Sequence, residues 1–275
     1  MSISAKSKAC RASNGISYRI EGEGEPLLLL HGLMVAGAMF DPLVVLLRDR
    51  FRMLIPDLRG HGKSSDIDGP FDVPALAGDL DTVLAEAGFN RCTVMGYSHG
   101  GAVAQQFARS RPAVVSKLIL GCTYACNTST VRERLECEVF AALLRISSPA
   151  TLAKLIVRPS KSKPTGAIGL RRQQAEWLRT IMSANPAPAM RGAVRGLITF
   201  DSRSWLKEIA APTLVVGGTH DVAVPRHHFD ALVSGIPGAV GRLIDRAGHA
   251  LVWTHTCELA DLVCARADLA RSRPI

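Results

Sequence analysis

The sequence contains no long hydrophobic run and no C-x-x-C cysteine pair. No apolar stretch approaches the roughly 18 residues that a membrane-spanning helix requires, so we expect no membrane span. The first ten residues lack the hydrophobic region of a secretory signal. The seven cysteines are scattered, which is typical of buried thiols in a reducing compartment. These absences predict a cytoplasmic protein without a bound metal.

Features of nucleic-acid-binding proteins are also missing, although the chain is basic. Its formal net charge is +9 over 275 residues, and the excess of Lys and Arg lies between residues 130 and 205. No nucleic-acid-binding motif is present, and no aromatic residues interleave with these basic side chains. We therefore interpret the charge as a solvated surface and expect a small-molecule partner. The composition does not indicate an oligomeric state.

A phosphate-binding loop is absent as well, despite the sequence Gly62-Lys63-Ser64 after a predicted strand. The full motif requires a glycine where this chain has Asp57, and it requires a helix directly after the serine. Residues 66–70 read as a loop instead. We therefore expect no nucleotide cofactor, and we expect Asp57 to order the loop that follows it.

Predicted strands and helices alternate over most of the chain. The core of the strand at 115–121, Leu118-Ile119-Leu120, is continuously apolar rather than alternating, as a parallel sheet buried on both faces requires. All the strands are bounded by turn residues. The strands are predicted at 16–21, 26–30, 51–56, 91–95, 115–121, 213–216 and 241–244. Helices are predicted at 37–48, 73–87 and 100–109. The pattern predicts an α/β fold with a mostly parallel sheet flanked by helices.

The most informative motif is G-x-S-x-G at residues 96–100, with Ser98 at its centre. It follows the apolar strand at 91–95 and precedes good helix-forming sequence, so it has the strand–turn–helix context of a nucleophile elbow. A serine on such a turn projects its hydroxyl into a cleft, and the next amide N–H can stabilise an oxyanion. We therefore predict that Ser98 is a nucleophile.

Two further residues complete the chemistry that a serine nucleophile needs. Asp221 follows the strand at 213–216, and His249 follows the strand at 241–244. Both therefore lie on loops beyond the carboxyl ends of strands, where open α/β sheets keep their chemistry. A serine hydroxyl needs an imidazole to accept its proton, and the imidazole needs a carboxylate to fix its tautomer. The sequence predicts a Ser-His-Asp triad.

The chain resembles α/β-hydrolase-fold enzymes. The resemblance covers residues 14–124 and 205–265, and it includes an H-G-x oxyanion loop at 31–34 and a D-x-R-G-x-G-x-S segment at 57–64. It implies a cofactor-independent enzyme in which the backbone N–H groups of Leu33 and His99 form the oxyanion hole. The layout is most similar to small bacterial esterases, enol-lactonases and non-haem haloperoxidases. The haloperoxidase branch usually has proline where this chain has Met34.

The strand–helix alternation stops between residues 125 and 205, where proline-rich breaks separate several predicted helices. The resemblance implies a helical cap at this place. We therefore predict a core domain formed by residues 1–124 and 206–275, with a helical cap at 125–205 inserted in it.

Apolar residues near Ser98 and in the predicted cap are candidates for a substrate pocket. We assign to it Met34, Met39, Phe40, Tyr97, Phe140, Trp177 and Leu251. Such a pocket favours a neutral ester or lactone, because it has little to offset the burial of a charge. An inward-facing arginine at position 132, 145 or 179 would instead favour an anionic substrate.

The remaining histidines fit structural or surface roles. We expect His31 and His61 to hydrogen-bond loop backbone, and His99 to contribute its amide rather than its ring. The adjacent His227 and His228 could bind a metal, but the sequence shows no third ligand, so we interpret them as a surface pair.

The function predicted from these residues is hydrolysis of a carboxylic ester or lactone through an acyl-enzyme. Two alternatives use the same fold. One is a lyase in which the triad abstracts a proton, and the other is a non-catalytic receptor that binds a ligand without turnover. Turnover of simple esters would count against both.

Overall fold

The computed structural model describes residues 8–157 and 170–268 of the chain. Within them, eight strands form one sheet in the order β1-β2-β4-β3-β5-β6-β7-β8. The strands are β1 (Lys8–Arg11), β2 (Ser17–Glu21), β3 (Glu25–Leu30), β4 (Phe51–Pro56), β5 (Cys92–Tyr97), β6 (Val115–Gly121), β7 (Thr213–Gly218) and β8 (Val240–Ile244). β2 pairs antiparallel with both β1 and β4, and the other five pairings are parallel. The predicted α/β-hydrolase fold, with its mostly parallel sheet, is confirmed.

Successive side chains of the central strands alternate between two hydrophobic cores. Leu27 and Leu29 of β3 belong to one core cluster, whereas Leu28 and Leu30 belong to the other. All four are fully buried. The uninterrupted apolar sequence of this strand thus reflects burial on both faces of the sheet.

Helices cover both faces. They are α1 (Asp41–Leu47), α2 (Val73–Ala87), α3 (His99–Ser110), α4 (Val131–Ile146), α5 (Pro149–Ile156), α6 (Arg172–Ser183), α7 (Ala187–Thr199), α8 (Arg226–Gly235), α9 (Leu251–Thr254) and α10 (Thr256–Asp268). α2 and α3 pack against each other on one face, and α1 packs against α10 on the other. α2 has the boundaries predicted for it, because the Asp72 side chain caps its first turn and Gly88 ends it in the left-handed conformation.

Two differences between predicted and observed boundaries bear on the site. The helix predicted at 37–48 is a short 3-10 turn at Gly37–Phe40 followed by α1, because Pro42 fits only the first turn of an α-helix. The strand predicted to end at residue 95 continues to Tyr97, and α3 begins directly after Ser98. Ser98 therefore occupies the whole turn between β5 and α3.

Residues 125–205, called here the helical insertion, lie between β6 and β7. They contain α4 to α7, and their described part has no strand beyond one isolated bridge between Cys126 and Asp201. This bridge brings the two ends of the insertion close together. Apolar side chains of the insertion, such as Leu144 and Met190, join the core cluster that contains Leu27 and Leu29.

None of the helices in the described part of the chain is both long enough and apolar enough to cross a membrane.

Candidate active site

Ser98 is held in a strained backbone conformation at the carboxyl edge of the sheet. Its φ and ψ are 54° and −122°, which is unusual for any residue other than glycine. Such strain costs on the order of 1–3 kcal/mol and persists only where the surroundings hold it. The Ser98 amide donates to the Gly121 carbonyl at 2.9 Å, and Thr123 Oγ1 donates to the Ser98 carbonyl at 2.6 Å. Both backbone groups of the strained residue are thus fixed by β6 and the loop after it.

The glycines of the motif allow the turn to pack closely. A Cβ atom at Gly96 would lie 2.3 Å from the carbonyl oxygen of Gly100, and a Cβ at Gly100 would lie 2.3 Å from that of Leu30. Because such distances are impossible for real Cβ atoms, any larger residue here would push α3 away from the sheet. The motif therefore fixes the position of Ser98 through steric contact.

A chain of two hydrogen bonds links the three predicted triad residues. His249 Nε2 lies 3.1 Å from Ser98 Oγ, and His249 Nδ1 lies 2.9 Å from Asp221 Oδ2. The three loops follow β5, β7 and β8, whose carboxyl ends lie at one edge of the sheet. The structure thus brings together Ser98, Asp221 and His249.

Asp221 is fixed on its other side as well. Its Oδ1 accepts hydrogen bonds from the amides of Ala223 at 3.0 Å and Val224 at 2.9 Å, and its side chain is only 3 % exposed. Burial opposes its ionisation, but the charge of His249 and hydrogen bonds from His249 and Val224 outweigh burial and lower the pKa of Asp221. The carboxylate is therefore ionised and oriented toward the imidazole.

The contact between Asp221 and His249 also raises the pKa of His249. Burial alone would lower it, but the charge of Asp221 and its hydrogen bond to Nδ1 favour the imidazolium more strongly. Tyr97 also holds this loop, because its hydroxyl donates to the His249 carbonyl at 2.6 Å. The imidazole is thus oriented by a carboxylate on one side and by backbone contacts on the other.

The loop after β3 approaches Ser98 closely. A Cβ at Gly32 would lie 3.2 Å from Ser98 Cβ, so the backbone of this loop lies beside the serine. The amides of Leu33 and His99 donate no hydrogen bond to any group within the described ranges. The His99 amide is also the first of α3, at the positive end of the helix dipole.

Asn185, in the helical insertion, holds the loop after β3 and was not among the residues predicted from sequence. Its Nδ2 donates to the Met34 carbonyl at 2.7 Å, and its Oδ1 accepts from the Gly62 amide at 2.9 Å. Met34 itself has a positive φ of 62°. Asn185 is separated from Met34 by 151 positions, so no local pattern could have connected them.

Asp57 orders the loops around it, as predicted. Its Oδ1 accepts from the Gly37 amide at 2.7 Å, and its Oδ2 accepts from the Lys63 amide at 2.9 Å. Both carboxylate oxygens are therefore occupied by loop backbone rather than by the imidazole of His249.

Three buried histidines near the site, His31, His61 and His99, are kept neutral. Burial lowers the pKa of His31 to about 4 and the pKa values of His61 and His99 to about 3. His31 Nδ1 donates to the Gly32 carbonyl at 2.8 Å, while its Nε2 accepts from the Leu58 amide at 2.9 Å. His61 Nδ1 donates to the Arg59 carbonyl at 3.0 Å. His31 and His61 thus bind loop backbone, as predicted.

A cavity of about 390 Å³ opens above Ser98 and His249. Of the predicted pocket residues, Met34, Met39, Tyr97 and Phe140 line it, as does Leu33. The helical insertion contributes most of the opposite wall through further apolar side chains. They are Ile156, Val157, Leu178, Met182, Val194 and Leu197.

Three predicted pocket residues lie outside the cavity. Phe40 and Leu251 are fully buried in the hydrophobic core beside α1 and α10, so their side chains serve packing. Trp177 packs edge-to-face on Trp253 with 5.9 Å between ring centroids, and Trp253 rather than Trp177 lines the cavity. An apolar residue close to a site in sequence can face either the cavity or the core, and sequence does not separate the two.

The charged residues in the cavity wall are acidic. Glu133 and Glu136 line it, whereas the described lining residues include no Lys or Arg. Arg132 points outward and pairs with Glu136 at 2.7 Å, and the Arg179 Nε donates to the Val157 carbonyl. Arg145 is exposed. The predicted alternative of an inward-facing arginine at one of these three positions was wrong.

The interpretation of His227 and His228 as a surface pair was wrong for His228, whereas His227 is exposed. The side chain of His228 is only 3 % exposed, and both histidines contact the carboxylate of Glu133. The contact joins Glu133 of α4 to His228 of α8, and these two residues are 95 positions apart in the chain.

Comparison with known proteins agrees with this architecture. Residues 25–256 match the model of the alpha/beta hydrolase fold family. An uncharacterised protein of Mycobacterium tuberculosis is 31% identical over 250 residues, which cover 85% of this chain and 72% of that protein. The pimeloyl-[acyl-carrier protein] methyl ester esterase of Nitrosomonas europaea is 28% identical, with 86% and 92% of the two chains covered.

A solved structure shows the same arrangement of elements. The thermophilic esterase from Thermogutta terrifontis superposes with a TM-score of 0.82 at 26% identity, covering 97% of this chain and 99% of that one. Together with the sheet order and the family match over residues 25–256, this similarity establishes that the chain belongs to the α/β-hydrolase-fold family and is a hydrolase of that fold.

Proposed function

We propose that this protein is a serine hydrolase that cleaves a carboxylic ester or a lactone through an acyl-enzyme on Ser98. The observation that carries the proposal is the pair of hydrogen bonds from Asp221 through His249 to Ser98, at the floor of an apolar cavity. The N. europaea relative is named as an ester hydrolase, which supports the choice of an ester bond.

In the first step, Ser98 Oγ attacks the carbonyl carbon of the substrate while His249 Nε2 accepts its proton. Asp221 stabilises the imidazolium that forms, since its carboxylate contacts Nδ1. The tetrahedral intermediate then collapses as His249 gives the proton to the leaving oxygen. An ester releases an alcohol here, whereas a lactone opens and keeps its hydroxyl on the acyl group.

The negative charge of the tetrahedral intermediate needs donors that are already in place. The amides of Leu33 and His99 suit this role, because they flank Ser98 and have no other acceptor in the described part of the chain. Removing one such donor typically costs about 3–4 kcal/mol of transition-state stabilisation. Asn185 is a positioning residue for this loop through its bond to the Met34 carbonyl.

Water completes the cycle. His249 Nε2 takes a proton from a water molecule as its oxygen attacks the acyl carbon, and the second tetrahedral intermediate collapses to the free acid. The proton returns to Ser98 Oγ. The neutral form of His249 is required at the start of both steps, so its pKa sets the acid limit of activity.

The cavity favours a substrate whose reacting portion is neutral. Its walls are mostly apolar and gain roughly 25 cal/mol for each Å² of ligand surface removed from water. The described wall presents no Lys or Arg side chain that could offset the burial of a substrate carboxylate. We therefore infer that small to medium neutral esters or lactones are preferred.

The helical insertion acts as a cap over the core formed by residues 1–124 and 206–275. Support comes from the Cys126–Asp201 bridge, which closes the insertion at its base, and from insertion side chains in the cavity wall. Substrate size would then be selected by the insertion and bond cleavage performed by the core.

A substrate panel tests the proposal. It consists of p-nitrophenyl esters of increasing chain length and a set of lactones, assayed with the wild type and with Ser98→Ala. We expect turnover by the wild type and a loss of several orders of magnitude in Ser98→Ala, with an unchanged far-UV circular dichroism spectrum. The exposed Ser110→Ala variant is the matched control and should keep full activity.

Two outcomes would contradict the proposal. Near-wild-type turnover by Ser98→Ala would remove the nucleophile from Ser98. A wild type that turns over no ester or lactone, but binds ligands, would favour a receptor.

A further inference from the structure

A second cluster of chemically active side chains lies where the helical insertion meets the core. Glu133 of α4 faces His227 and His228 in the first turn of α8. Glu133 Oε1 is 2.8 Å from His227 Nε2 and 3.0 Å from His228 Nε2. The proposed hydrolysis uses none of these three groups.

The three side chains converge on one point. The two imidazole rings lie against each other, with 4.1 Å between centroids and 39° between planes. The two Nε2 atoms and the Glu133 oxygen all lie within 4.8 Å of one another. Neighbouring residues on a helix normally point about 100° apart, so the convergence of two adjacent histidines on one oxygen is unusual.

The spacing suits a small divalent transition-metal ion. Zinc binds imidazole nitrogen at about 2.0–2.1 Å and carboxylate oxygen at about 2.0–2.2 Å, so tetrahedral ligands lie roughly 3.3 Å apart. The nitrogen–oxygen distances of 2.8 and 3.0 Å would need to widen by only a few tenths of an ångström. The donor set of two imidazoles and one carboxylate is one that zinc accepts.

The surroundings hold the carboxylate in place. Glu133 Oε2 accepts hydrogen bonds from Ser129 Oγ at 2.7 Å and from the Thr130 amide at 2.9 Å, which leaves Oε1 toward the histidines. Ser129 Oγ also lies 3.2 Å from His227 Nε2, next to the position of a fourth ligand. Metal-binding carboxylates are typically oriented by such outer contacts.

Burial and access are both suitable. The side chains of Glu133 and His228 are 11 % and 3 % exposed, whereas that of His227 is 48 % exposed. Two ligands are therefore fixed within the interface between α4 and α8, and the third lies on the side from which an ion can enter.

We propose that Glu133, His227 and His228 bind one divalent transition-metal ion of the zinc class, with a fourth ligand from water or Ser129. The ion links the helical insertion to the core. Because Glu133 also lines the cavity, the bound ion fixes one edge of the substrate site. The site needs no turnover, so it holds or fails independently of the proposed hydrolysis.

Direct binding to the full-length, tag-free protein tests the proposal. After removal of metals with a chelator, Zn²⁺ is titrated calorimetrically, and thermal unfolding is followed with and without one equivalent of Zn²⁺. We expect one site per chain and a higher Tm with Zn²⁺, because an ion that binds only the folded state stabilises it.

Variants assign the ligands. His227→Gln and Glu133→Gln should each weaken Zn²⁺ binding by at least tenfold and abolish the Tm increase, as measured on protein with an unchanged circular dichroism spectrum. His227 is half exposed, so its replacement is compatible with folding. His255→Gln, which lies outside the cluster, is the control and should bind as the wild type does.

Cobalt distinguishes this site from the free thiols, of which Cys257 is exposed. Co²⁺ bound by nitrogen and oxygen shows visible d–d bands without a thiolate charge-transfer band. Absence of stoichiometric binding, a thiolate band, or equal affinity in His227→Gln, Glu133→Gln and the wild type would overturn the proposal. In that case the cluster is a hydrogen-bonded contact between α4 and α8.

Discussion

The floor and the roof of the cavity are built on different principles. The floor, formed by Ser98, Asp221 and His249 on loops after three strands, is polar and fixed by hydrogen bonds of 2.6–3.1 Å to neighbouring backbone and side chains. The roof, formed by the helical insertion, presents mostly apolar side chains such as Phe140 and Leu178. Hydrogen bonds are directional, so they fix the positions of single atoms. Apolar contacts are not directional, so they set the size and shape of the space that a ligand can occupy. The difference supports the proposal that the floor cleaves the bond and the roof selects substrates by size.

Burial follows the same division. The sheet residues beneath the floor are fully buried, as at Leu27–Leu30. On α4 of the roof, Val131 and Leu135 are 87 % and 64 % exposed. The roof is therefore the less tightly packed region, and we expect substitutions there to change activity less than substitutions in the floor.

The largest expected effect is at the floor, with Asp221→Asn. The amide would favour the wrong imidazole tautomer, so kcat should fall by about a thousandfold or more while KM changes little. Steady-state kinetics with a p-nitrophenyl ester measures this. Asp57→Asn is the matched control, because Asp57 binds the amides of Gly37 and Lys63 instead. Asp57→Asn should lower Tm and change kcat little. A larger loss of kcat in Asp57→Asn than in Asp221→Asn would show that Asp221 is not the carboxylate partner of His249.

The hydrogen-bonded arrangement of Ser98, Asp221 and His249 was predictable from sequence because each residue is marked locally. Ser98 lies in a motif flanked by its strand and helix, and Asp221 and His249 each follow a predicted strand. The parallel sheet then brings the three loops to one edge. No information beyond the strand pattern and the chain order was needed.

The contacts between the helical insertion and the core were not predictable in this way. Asn185 and Met34 are separated by 151 positions, and Glu133 and His228 by 95. Such contacts depend on how one unit packs on the other, and no short-range pattern encodes that packing. Phe40 and Leu251 show the same limit, because apolar character alone does not tell a core side chain from a cavity side chain.

The second prediction concerns pH. As the pH is lowered, kcat/KM should decrease by about tenfold per pH unit once His249 becomes protonated. Because the pKa of His249 is raised, the midpoint of this decrease should lie above the usual pKa of histidine. The sign follows from the need for neutral His249. In Asp221→Asn the charge that raises this pKa is gone, so the midpoint of the residual activity should move to lower pH. A pH–rate profile with the same midpoint in both proteins would contradict this coupling.

A third prediction tests Asn185, a polar link between the roof and the loop after β3. Asn185→Ala removes the donor to the Met34 carbonyl and the acceptor for the Gly62 amide, which leaves buried polar groups unpaired at about 1–3 kcal/mol each. We expect roughly a tenfold loss of kcat with little change in KM. Asn185→Asp keeps the acceptor but not the donor, and it should lose as much kcat. A lower Tm with unchanged kcat would make Asn185 purely structural.

The smallest expected effect separates two roof residues. Phe140 lines the cavity, so Phe140→Ala should change the preference between long and short acyl chains by roughly fivefold, equivalent to about 1 kcal/mol of apolar contact. Trp177 packs on Trp253 outside the cavity, so Trp177→Ala should lower Tm without a comparable change in preference. Equal effects of Phe140→Ala on all chain lengths would reassign Phe140 to packing.

The most direct test of the account is to trap the acyl-enzyme. The wild-type protein is mixed with a p-nitrophenyl ester, quenched in acid within the first turnover and measured by intact-mass spectrometry, and peptide mapping then locates the adduct. The account predicts one acyl group per chain, located on Ser98 and absent from Ser98→Ala. Rapid turnover with no adduct on Ser98, or an adduct on another residue that accumulates and decays at the catalytic rate, would contradict it.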